Sequence, residues 1–338
     1  MQKISIKGKV KESTIKIESF FNNPQTFISS HTVIITDSKV KKLYGKFFPA
    51  CPVIEIPAGE KSKNIATVIR IIENLLEIGV DRHWHILGIG GGVVTDIAGF
   101  VASIYMRGID FSFIPTTLMA QADAAIGGKN GINIKNYKNI AGVINQPDFV
   151  ICDTGFLKTL DKKEFLNGLA EVIKYAIISE PKMFEFLEQN QQKILNYDEE
   201  CLNYLVYNSC KIKAEIVNKD ESEKGLRKLL NFGHTIGHAL EKEYSIPHGY
   251  AIAQGMIHAS KLSAKLGLLN YTEYDRIFSI FSKYGYQTDK DVNVENIIDA
   301  IKKDKKKKID VIEFVLINKI GNAIIKSIDI KELESFLK

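Results

Sequence analysis

The chain has 338 residues, of which 45% are hydrophobic and 25% are charged. This composition is ordinary for a soluble globular protein, and the length favours two domains over a single core. No stretch approaches the roughly 20 consecutive apolar residues that a membrane-spanning helix needs, so an integral membrane protein is excluded. The net charge of +5 would suit an anionic small molecule as well as a nucleic acid, and it does not choose between them.

The cysteines predict a protein without a disulfide framework. The four cysteines, Cys51, Cys152, Cys201 and Cys210, include no C-x-x-C pair and form no dense cluster. The first seven residues alternate polar and apolar side chains and lack the apolar core of a signal peptide. We therefore expect reduced thiols and a cytoplasmic location.

The first half of the chain alternates strand and helix patterns. We predict strands at His31–Thr36, Val53–Ile56, His85–Ile89 and Phe111–Ile114, and helices at Ile65–Leu76 and Val93–Met106. Such alternation is typical of a parallel sheet covered by helices.

After about residue 160 the helical pattern dominates. We predict helices at Lys163–Ile178, Glu199–Val217, Leu226–Tyr244 and Ala251–Leu266, and a strand pattern returns only at Val311–Ile325. The predicted fold class is therefore α/β plus α. A parallel-sheet domain is expected at residues 1–160, followed by a mainly helical domain at residues 161–338.

A glycine-rich segment, residues 88–92, lies between a predicted strand and a predicted helix. Glycines at such a turn let the backbone approach a pyrophosphate, whose negative charge is favoured at a helix N-terminus. The match to G-x-G-x-x-G is imperfect because Val93 takes the third glycine position. Asp37, at the end of a strand, is a better candidate than Asp110 for binding a ribose. A plain tight turn would explain the glycines equally well.

A row of polar side chains follows in the predicted helix Leu226–Tyr244. Arg227, Asn231, His234 and His238 are spaced i, i+4, i+7, i+11, which confines them to an arc of roughly 60° on one continuous helix. The row is either a solvated face with two capping or core histidines, or a site that binds an oxyanion and a metal.

Two histidines four residues apart can share one metal ion, as in the H-E-x-x-H motif. The protease function of that motif is excluded here, because Thr235 stands where its glutamate would be. Further ligands could come from His248 and from Glu171, an acid within an otherwise apolar helical pattern.

Seven motifs, in the same order, resemble the 3-dehydroquinate synthase family. They are Gly90–Asp96, Tyr105–Gly108, Ile114–Leu118, Gly127–Lys129, Gly168–Lys174, Leu230–His238 and Asp304–Lys306. The resemblance runs over roughly residues 30–320, and several motifs in a consistent order are far more specific than any one of them. It implies a Rossmann-like N-terminal domain, a helical C-terminal domain, a bound NAD and one divalent metal, zinc or possibly cobalt.

The reaction that the resemblance implies is the conversion of 3-deoxy-D-arabino-heptulosonate 7-phosphate to 3-dehydroquinate and phosphate, in the shikimate route to aromatic amino acids. It would proceed by transient oxidation, phosphate elimination, reduction and aldol cyclisation. The partner is then a small anionic sugar phosphate, and neither a nucleic acid nor a membrane is expected.

The resemblance also carries a set of expected site residues. The expected metal ligands are Glu171, His234 and His248. The expected NAD contacts are Asp37, Glu60, Lys63, Gly91, Gly92, Asp96, Thr116, Thr117, Lys129, Lys138, Asn139, Phe156 and Thr159. The expected catalytic and substrate-binding residues are Asp123, Lys129, Lys174, Lys213, Arg227, Asn231, His238 and Lys306. Arg107 is expected to reach the active site of a neighbouring subunit, which implies a homodimer.

Three positions depart from the family's usual pattern. Tyr250 stands in place of a glutamate after His248-Gly249, Thr95 in place of a glycine, and Ala124-Ala125 in place of two serines. Tyr250 could alter the surroundings of the metal. In residues 302–308, six of the seven are lysines. We expect a solvated surface there, with Lys306 or alternatively Lys305 folding into the site.

Other functions remain open. Sister sugar phosphate cyclases of the 2-deoxy-scyllo-inosose or valiolone type share the fold, NAD and metal, and metal-dependent polyol dehydrogenases share the two-domain plan. Gly128-Lys129 and Arg227-x-x-x-Asn231 fit the dehydroquinate branch better. A nucleic-acid-binding protein that uses the lysine run is a third alternative, although the sequence carries no recognisable motif for it.

Overall fold

The computed structural model describes residues 2–9, 11–135, 137–288, 298 and 311–337. The chain forms two compact units. The first combines Met1–Asp161 with Leu202–Glu221, and the second combines Lys162–Cys201 with Ser222–Lys338. The predicted domains, 1–160 and 161–338, stay a proposal, because compactness alone does not show that either part folds by itself. Lys305, Lys306 and the rest of the lysine run lie outside the described residues.

The first unit is an α/β structure. Its strands are β1 Gln2–Lys7, β2 Glu12–Ile17, β3 Thr32–Asp37, β4 Val53–Ile56, β5 His85–Gly90, β6 Asp110–Pro115, β7 Lys129–Ile134, β8 Tyr137–Ile144 and β9 Phe149–Cys152. Its helices are α1 Ser38–Tyr44, α2 Ile65–Ile78 and α3 Gly92–Ile104. Short 3₁₀ segments at Pro24–Phe27, Gly45–Phe47, Glu60–Ser62, Tyr105–Arg107 and Thr154–Thr159, and a π turn at Ala120–Ala124, lie between them.

Seven strands form one sheet in the order β1-β2-β9-β6-β5-β3-β4. The β1–β2 pair is antiparallel and the other pairs are parallel, while β7 and β8 form a separate antiparallel hairpin. Positions 32–36 of β3 are buried without alternation, as expected for a parallel strand covered on both faces. The core on this sheet is built from Ile34, Leu87, Ile89, Ile114, Ile151 and Phe156.

The second unit is mainly helical. Its helices are α4 Lys162–Ser179, α5 Pro181–Gln189, α6 Gln191–Leu195, α8 His234–Tyr244, α9 His248–Lys265, α10 Tyr271–Lys283 and α11 Ile330–Leu337. Helix α7, Glu199–Lys219, begins in this unit, and its residues from Leu202 onward belong to the first. Strands β10, Val311–Lys319, and β11, Asn322–Asp329, form a hairpin. A 3₁₀ segment at Leu226–Asn231 precedes α8.

The predicted α/β-plus-α class is confirmed, and the four predicted strands of the first half match β3, β4, β5 and β6 closely. The strand pattern predicted at Val311–Ile325 is confirmed as the hairpin of β10 and β11, in which Gly321 turns the chain with a φ of +90°. One predicted element is wrong, because Gly233 breaks the helix predicted at Leu226–Tyr244.

Gly233 breaks that helix with a φ of +77°, a left-handed conformation that costs side chains with a Cβ about 1–2 kcal/mol. A Cβ at this position would lie 2.4 Å from Cγ of Met256 on α9. The close packing of α8 on α9 therefore requires glycine here. Because the 3₁₀ segment and α8 are separate elements, the predicted single-face arc of Arg227, Asn231 and the two histidines is also wrong.

Among the residues that the structure describes, no helix combines the length and apolarity needed to cross a bilayer.

Candidate active site

Three side chains of the second unit converge on one point. Glu171 lies within α4, whereas His234 and His248 are the first residues of α8 and α9. One ligand atom from each lies within 4.8 Å of the others. The Nε2 atoms of His234 and His248 lie 3.7 Å and 3.4 Å from Oε1 of Glu171. Because α8 and α4 both pack against α9, these three helices bring the ligand atoms together.

The Nδ1 atom of each histidine already contacts another group of the protein. Nδ1 of His234 donates to the carbonyl oxygen of Phe232 at 3.1 Å, since a carbonyl can only accept. Nδ1 of His248 lies 3.1 Å from Oε2 of Glu241. Nε2 of His234 is thereby left with a lone pair that faces Glu171, and Nε2 of His248 offers one when its proton is released. A carboxylate oxygen and two such imidazoles form a donor set that a catalytic zinc uses, with positions left for substrate. The residues present therefore fit a divalent metal.

Glu171 is held in its charged form in a buried position. Both carboxylate oxygens are buried, and among the described residues they contact the ammonium of Lys174 and the Nε2 atoms of His234 and His248. The contact with Lys174, which is buried one turn along α4, is an ion pair. Burial alone would raise the pKa of Glu171, but Lys174 and the two histidines hold it well below the usual range. Such a carboxylate is ready to bind a cation at neutral pH.

The two histidines are shifted in opposite directions. Burial, assisted by the charge of Lys174, lowers the pKa of His234 to about 3, so its imidazole is neutral. Burial also disfavours the charged form of His248, but Glu171 and Glu241 outweigh it and raise its pKa to about 9. A metal must therefore displace a proton from His248 when it binds.

Three other predicted residues of the second unit are close to His234 in the sequence: Arg227, Asn231 and His238. His238 is exposed on α8, and its ring centroid is 5.2 Å from that of His234 and 5.9 Å from that of His248. Arg227 is buried and Asn231 exposed on the 3₁₀ segment before α8, and Nδ2 of Asn231 donates to Glu223 at 2.9 Å.

In the first unit, the neighbouring parallel strands β3 and β5 bring three predicted cofactor residues, Asp37, Gly91 and Gly92, to the carboxyl end of the sheet. Asp37 ends β3, and its Oδ1 accepts from the amides of Lys39 and Val40 at 2.9 Å, which caps α1. Gly91 and Gly92 lie between β5 and α3. The carboxyl ends of neighbouring parallel strands are where nucleotides bind in this kind of sheet.

The glycine turn lies beside the end of β6. The amide of Thr116 donates to the carbonyl of Gly90 at 2.9 Å, and a Cβ on Gly91 would lie 3.0 Å from Thr117. Glycine at position 91 therefore lets this turn pack closely against Thr117. Two further predicted residues, Phe156 and Thr159, both contact Tyr44. The Tyr44 hydroxyl contacts the hydroxyl of Thr159 and donates to the carbonyl of Phe156 at 3.3 Å.

A cavity of about 400 Å³ lies within the first unit. Its lining includes five predicted site residues: Asp96, Asp123, Lys129, Asn139 and Lys213. Lys213 donates to the carboxylate of Asp123 at 2.6 Å and to its carbonyl at 2.7 Å. Lys63 binds both Asp96 and Asn139. Burial raises the pKa of Asp96 to about 6, against the opposing effect of Lys63.

Other predicted residues of the first unit do not line this cavity, among them Glu60, Lys138 and Arg107. Glu60 accepts from Nδ2 of Asn133 at 2.7 Å, and Lys138 is exposed on β8. Arg107 is exposed after α3 with a φ of +69°. Glu60 is linked to the cavity residue Asn139 through Asn133, whose side chain accepts from the amide of Asn139 at 2.9 Å, and its charge contributes to the raised pKa of Asp96.

One residue was missed by the sequence prediction. Glu241, which contacts Nδ1 of His248, follows His234 and His238 on α8 with the spacing i, i+4, i+7. This spacing places the three side chains on one helix face, so the signal was present in the sequence.

The structure shows what lies around the residues that depart from the family's usual pattern, Tyr250, Thr95 and Ala124. The ring of Tyr250 packs against Tyr286 at 5.5 Å, and the hydroxyl of Tyr286 donates to the carbonyl of Leu166. The hydroxyl of Thr95 donates to the carbonyl of Gly92 within α3, and Ala124 lines the cavity.

Comparison with solved structures defines the class of protein. The 2-epi-5-epi-valiolone synthase of Streptomyces hygroscopicus subsp. jinggangensis, solved with NAD⁺ and Zn²⁺ bound, matches with a TM-score of 0.87 and 26% sequence identity. The match covers 100% of this chain and 97% of that chain. The fold is that of the sugar phosphate cyclase class.

Sequence comparison narrows the class to a family. Residues 53–167 match the family model of the 3-dehydroquinate synthase N-terminal region, and residues 168–307 match that of the C-terminal region. The 3-dehydroquinate synthase of Thermoanaerobacter pseudethanolicus is 45% identical over 324 residues, covering 92% of this chain and 90% of that protein. That of Saccharolobus solfataricus is 40% identical over 318 residues, covering 92% and 88%. The chain belongs to the 3-dehydroquinate synthase family, and the predicted resemblance is confirmed.

Proposed function

We propose that this chain is a 3-dehydroquinate synthase, a phosphate-eliminating carbon–oxygen lyase. It converts 3-deoxy-D-arabino-heptulosonate 7-phosphate to 3-dehydroquinate and phosphate. The observation that carries the proposal is the convergence of Glu171, His234 and His248 in a chain of this family. The proposed setting is the cytoplasm, in keeping with four cysteines that the structure leaves unbridged.

The proposed cofactors are NAD and one divalent metal, zinc or cobalt. The glycine turn at Gly91 and Gly92 and the strand end at Asp37 would hold the NAD, and Glu171, His234 and His248 would hold the metal. When bound, the NAD supplies a reversible hydride acceptor and the metal supplies Lewis-acid polarisation of a substrate hydroxyl.

The charged side chains are suited to binding the two anionic ends of the substrate. In the first unit, Lys129 and Lys213 line the cavity, and the bond from Lys213 to Asp123 holds both side chains in place. In the second unit, Lys174 and Arg227 are buried cations. A guanidinium can bind a phosphate or carboxylate through two parallel hydrogen bonds, whereas an ammonium acts as a point charge.

Proton movement is assigned to His238. Its imidazole is exposed one turn beyond His234, where it can take up the proton of a substrate hydroxyl. Asp123 can orient another hydroxyl, and Asn231 can donate to a substrate oxygen. Elimination of phosphate also removes the proton on C6 of the substrate. The departing phosphate can itself accept this proton, so no side chain is assigned to that step.

The proposed assembly is a homodimer in which Arg107 of each copy reaches the site of the other. Its exposed position after α3 is compatible with an intermolecular role. Lys306 is proposed as a further substrate contact.

The proposed reaction is tested by measuring phosphate release with the heptulosonate phosphate and, in parallel, with glucose 6-phosphate. Release from the heptulosonate phosphate alone, without net accumulation of NADH, is the expected result. The second candidate is a sister cyclase, favoured by the fold match to the valiolone synthase. Turnover of glucose 6-phosphate alone would replace the proposal with a cyclase of the 2-deoxy-scyllo-inosose type.

A further inference from the structure

The imidazole of His248 lies between two carboxylates. Its Nε2 is 3.4 Å from Oε1 of Glu171, at the candidate metal centre. Its Nδ1 is 3.1 Å from Oε2 of Glu241. The two nitrogens of an imidazole are distinct and can each bind a metal. The candidate metal centre uses Nε2 alone, so a carboxylate also stands ready at the other nitrogen of the same ring.

Each carboxylate is accompanied by a further histidine. The candidate metal centre combines Glu171 and His248 with His234. In a second group, one ligand atom from each of His238, Glu241 and His248 lies within 4.8 Å of the others. Because Glu241 contacts Nδ1, we assign this nitrogen of His248 to the second group. The described part of the chain thus brings together two groups of the same composition, and they share one imidazole.

Helices α8 and α9 hold the second group. His238 and Glu241 are three residues apart on α8, which places both side chains on one face of that helix. Metal sites in helical bundles use the same spacing of a carboxylate and a histidine. His248 is the first residue of α9, and α8 packs against α9. The three side chains are therefore carried by two formed helices.

The donor atoms of the second group suit zinc or cobalt. Zn²⁺ binds imidazole nitrogens and carboxylate oxygens at about 2.0–2.2 Å, so tetrahedral ligand atoms lie roughly 3.4 Å from each other. The 3.1 Å between Nδ1 of His248 and Oε2 of Glu241 is close to this separation. A cation can therefore replace the proton between these two atoms after small side-chain movements.

The second group should bind a metal more weakly than the first. Glu171 is 1% exposed, whereas His238 is exposed and Glu241 is partly buried. Nδ1 of His248 donates to Glu241, since a carboxylate can only accept, and this proton remains after a first metal has taken Nε2. A second metal must release that proton to solvent. The two sites should therefore fill in order.

We propose that His238, Glu241 and Nδ1 of His248 form a second site for a divalent metal such as Zn²⁺ or Co²⁺. The site is joined to the candidate metal centre through the imidazole of His248. Metal bound there would occupy His238, to which proton movement is assigned, so excess metal should inhibit the enzyme. Only this inhibition rests on the proposed function.

The site is tested by counting bound metal ions. Metal-stripped protein is titrated with Zn²⁺ in competition with a chromophoric chelator. The wild-type chain should bind two equivalents, the second more weakly than the first. His238→Gln should bind one equivalent with the affinity of the wild-type first site. His234→Ala should retain the weaker equivalent, because the second group does not include His234.

The matched control is His83→Gln, which replaces another exposed histidine, in the first unit. It should leave both equivalents in place, and circular dichroism checks that all variants are folded. A wild-type chain that saturates at one equivalent would overturn the second site. A second equivalent that persists in His238→Gln, or that is lost in His83→Gln, would overturn it as well.

The effect on turnover is measured separately. Phosphate release should be full at one equivalent of Zn²⁺ and should fall as the second equivalent binds. Full release with both equivalents bound would overturn the inhibitory role and leave the site standing. A wild-type chain that releases no phosphate at any Zn²⁺ concentration would contradict the proposed function, while the binding counts would still decide the second site.

Discussion

At the scale of single residues, the candidate metal centre depends on how each imidazole is held. His234 is fixed by a backbone carbonyl and His248 by the carboxylate of Glu241. Both contacts direct Nε2 toward Glu171. Spacing and an acid in an apolar helical pattern made His234, His238, His248 and Glu171 candidates, and the family resemblance selected three of them. Spacing alone could not do so, because these three come from separate helices. The role of Glu241 follows from the geometry.

Replacing Glu241 by glutamine should weaken metal binding. The neutral amide is a poorer acceptor for Nδ1 of His248, so the ring is held less firmly and its Nε2 is less basic. We expect a loss of about 10–100-fold in Zn²⁺ affinity, measured by competition with a chromophoric chelator. The matched control is Glu243→Gln, an exposed glutamate on the same helix, which should leave the affinity unchanged. Equal affinities for the two variants would show that Glu241 does not position the ligand.

His258 should make the chain less stable in mild acid. Burial, with a contribution from Lys261, lowers the pKa of this α9 histidine from 6.5 to about 4. Its neutral form is favoured in the folded state, so its contribution is fully present above pH 6.5 and is lost as the pH falls toward 4. The loss amounts to at most about 3 kcal/mol. In urea unfolding at pH 7 and pH 4.5, His258→Gln should lose less stability between the two than the wild-type chain. Identical losses would contradict the buried-histidine explanation.

At the scale of elements, the break before α8 determines where His234 lies. A helical pattern runs from Leu226 to Tyr244, yet the chain turns at Gly233 so that α8 can pack closely on α9. Periodicity could not predict this break, because it depends on a contact with Met256 far along the sequence. The β7–β8 hairpin was missed for another reason. Most positions of β8 are exposed, so it lacks the alternation that marks a half-buried strand.

Replacing Gly233 by alanine should cost more stability than the same change at Gly79. Both glycines have left-handed backbone conformations, with φ of +77° and +81°. At Gly79 no atom lies within 4 Å of an added Cβ, so we expect only the conformational cost of about 1–2 kcal/mol. At Gly233 the added Cβ would meet Met256, which should add about 1–3 kcal/mol and displace His234.

Urea unfolding and Zn²⁺ affinity of the two alanine variants provide the test. We expect Gly233→Ala to lose both stability and affinity and Gly79→Ala to lose stability alone. If the two variants lost equal stability, the close packing of α8 on α9 would not explain the break.

At the scale of the whole molecule, the sequence predicted the class of fold and the order of its parts. Strand and helix alternation gave the parallel sheet, because burial on both faces leaves continuous apolar runs such as that of β3. No sequence pattern indicates that residues 202–221 belong to the first unit. The apolar periodicity of a helix is the same whichever unit the helix packs against. Lys213 therefore reaches Asp123 through a tertiary arrangement that only the structure shows.

The central claim is that Glu171, His234 and His248 hold one divalent metal on which the synthase reaction depends. The most direct measurement is phosphate release from the heptulosonate phosphate by metal-stripped protein during titration with Zn²⁺ in the presence of NAD⁺. We expect no release without metal, full recovery at one equivalent per chain, and no recovery in the His234→Ala variant. Full release from the stripped protein, or full recovery in that variant, would contradict the claim.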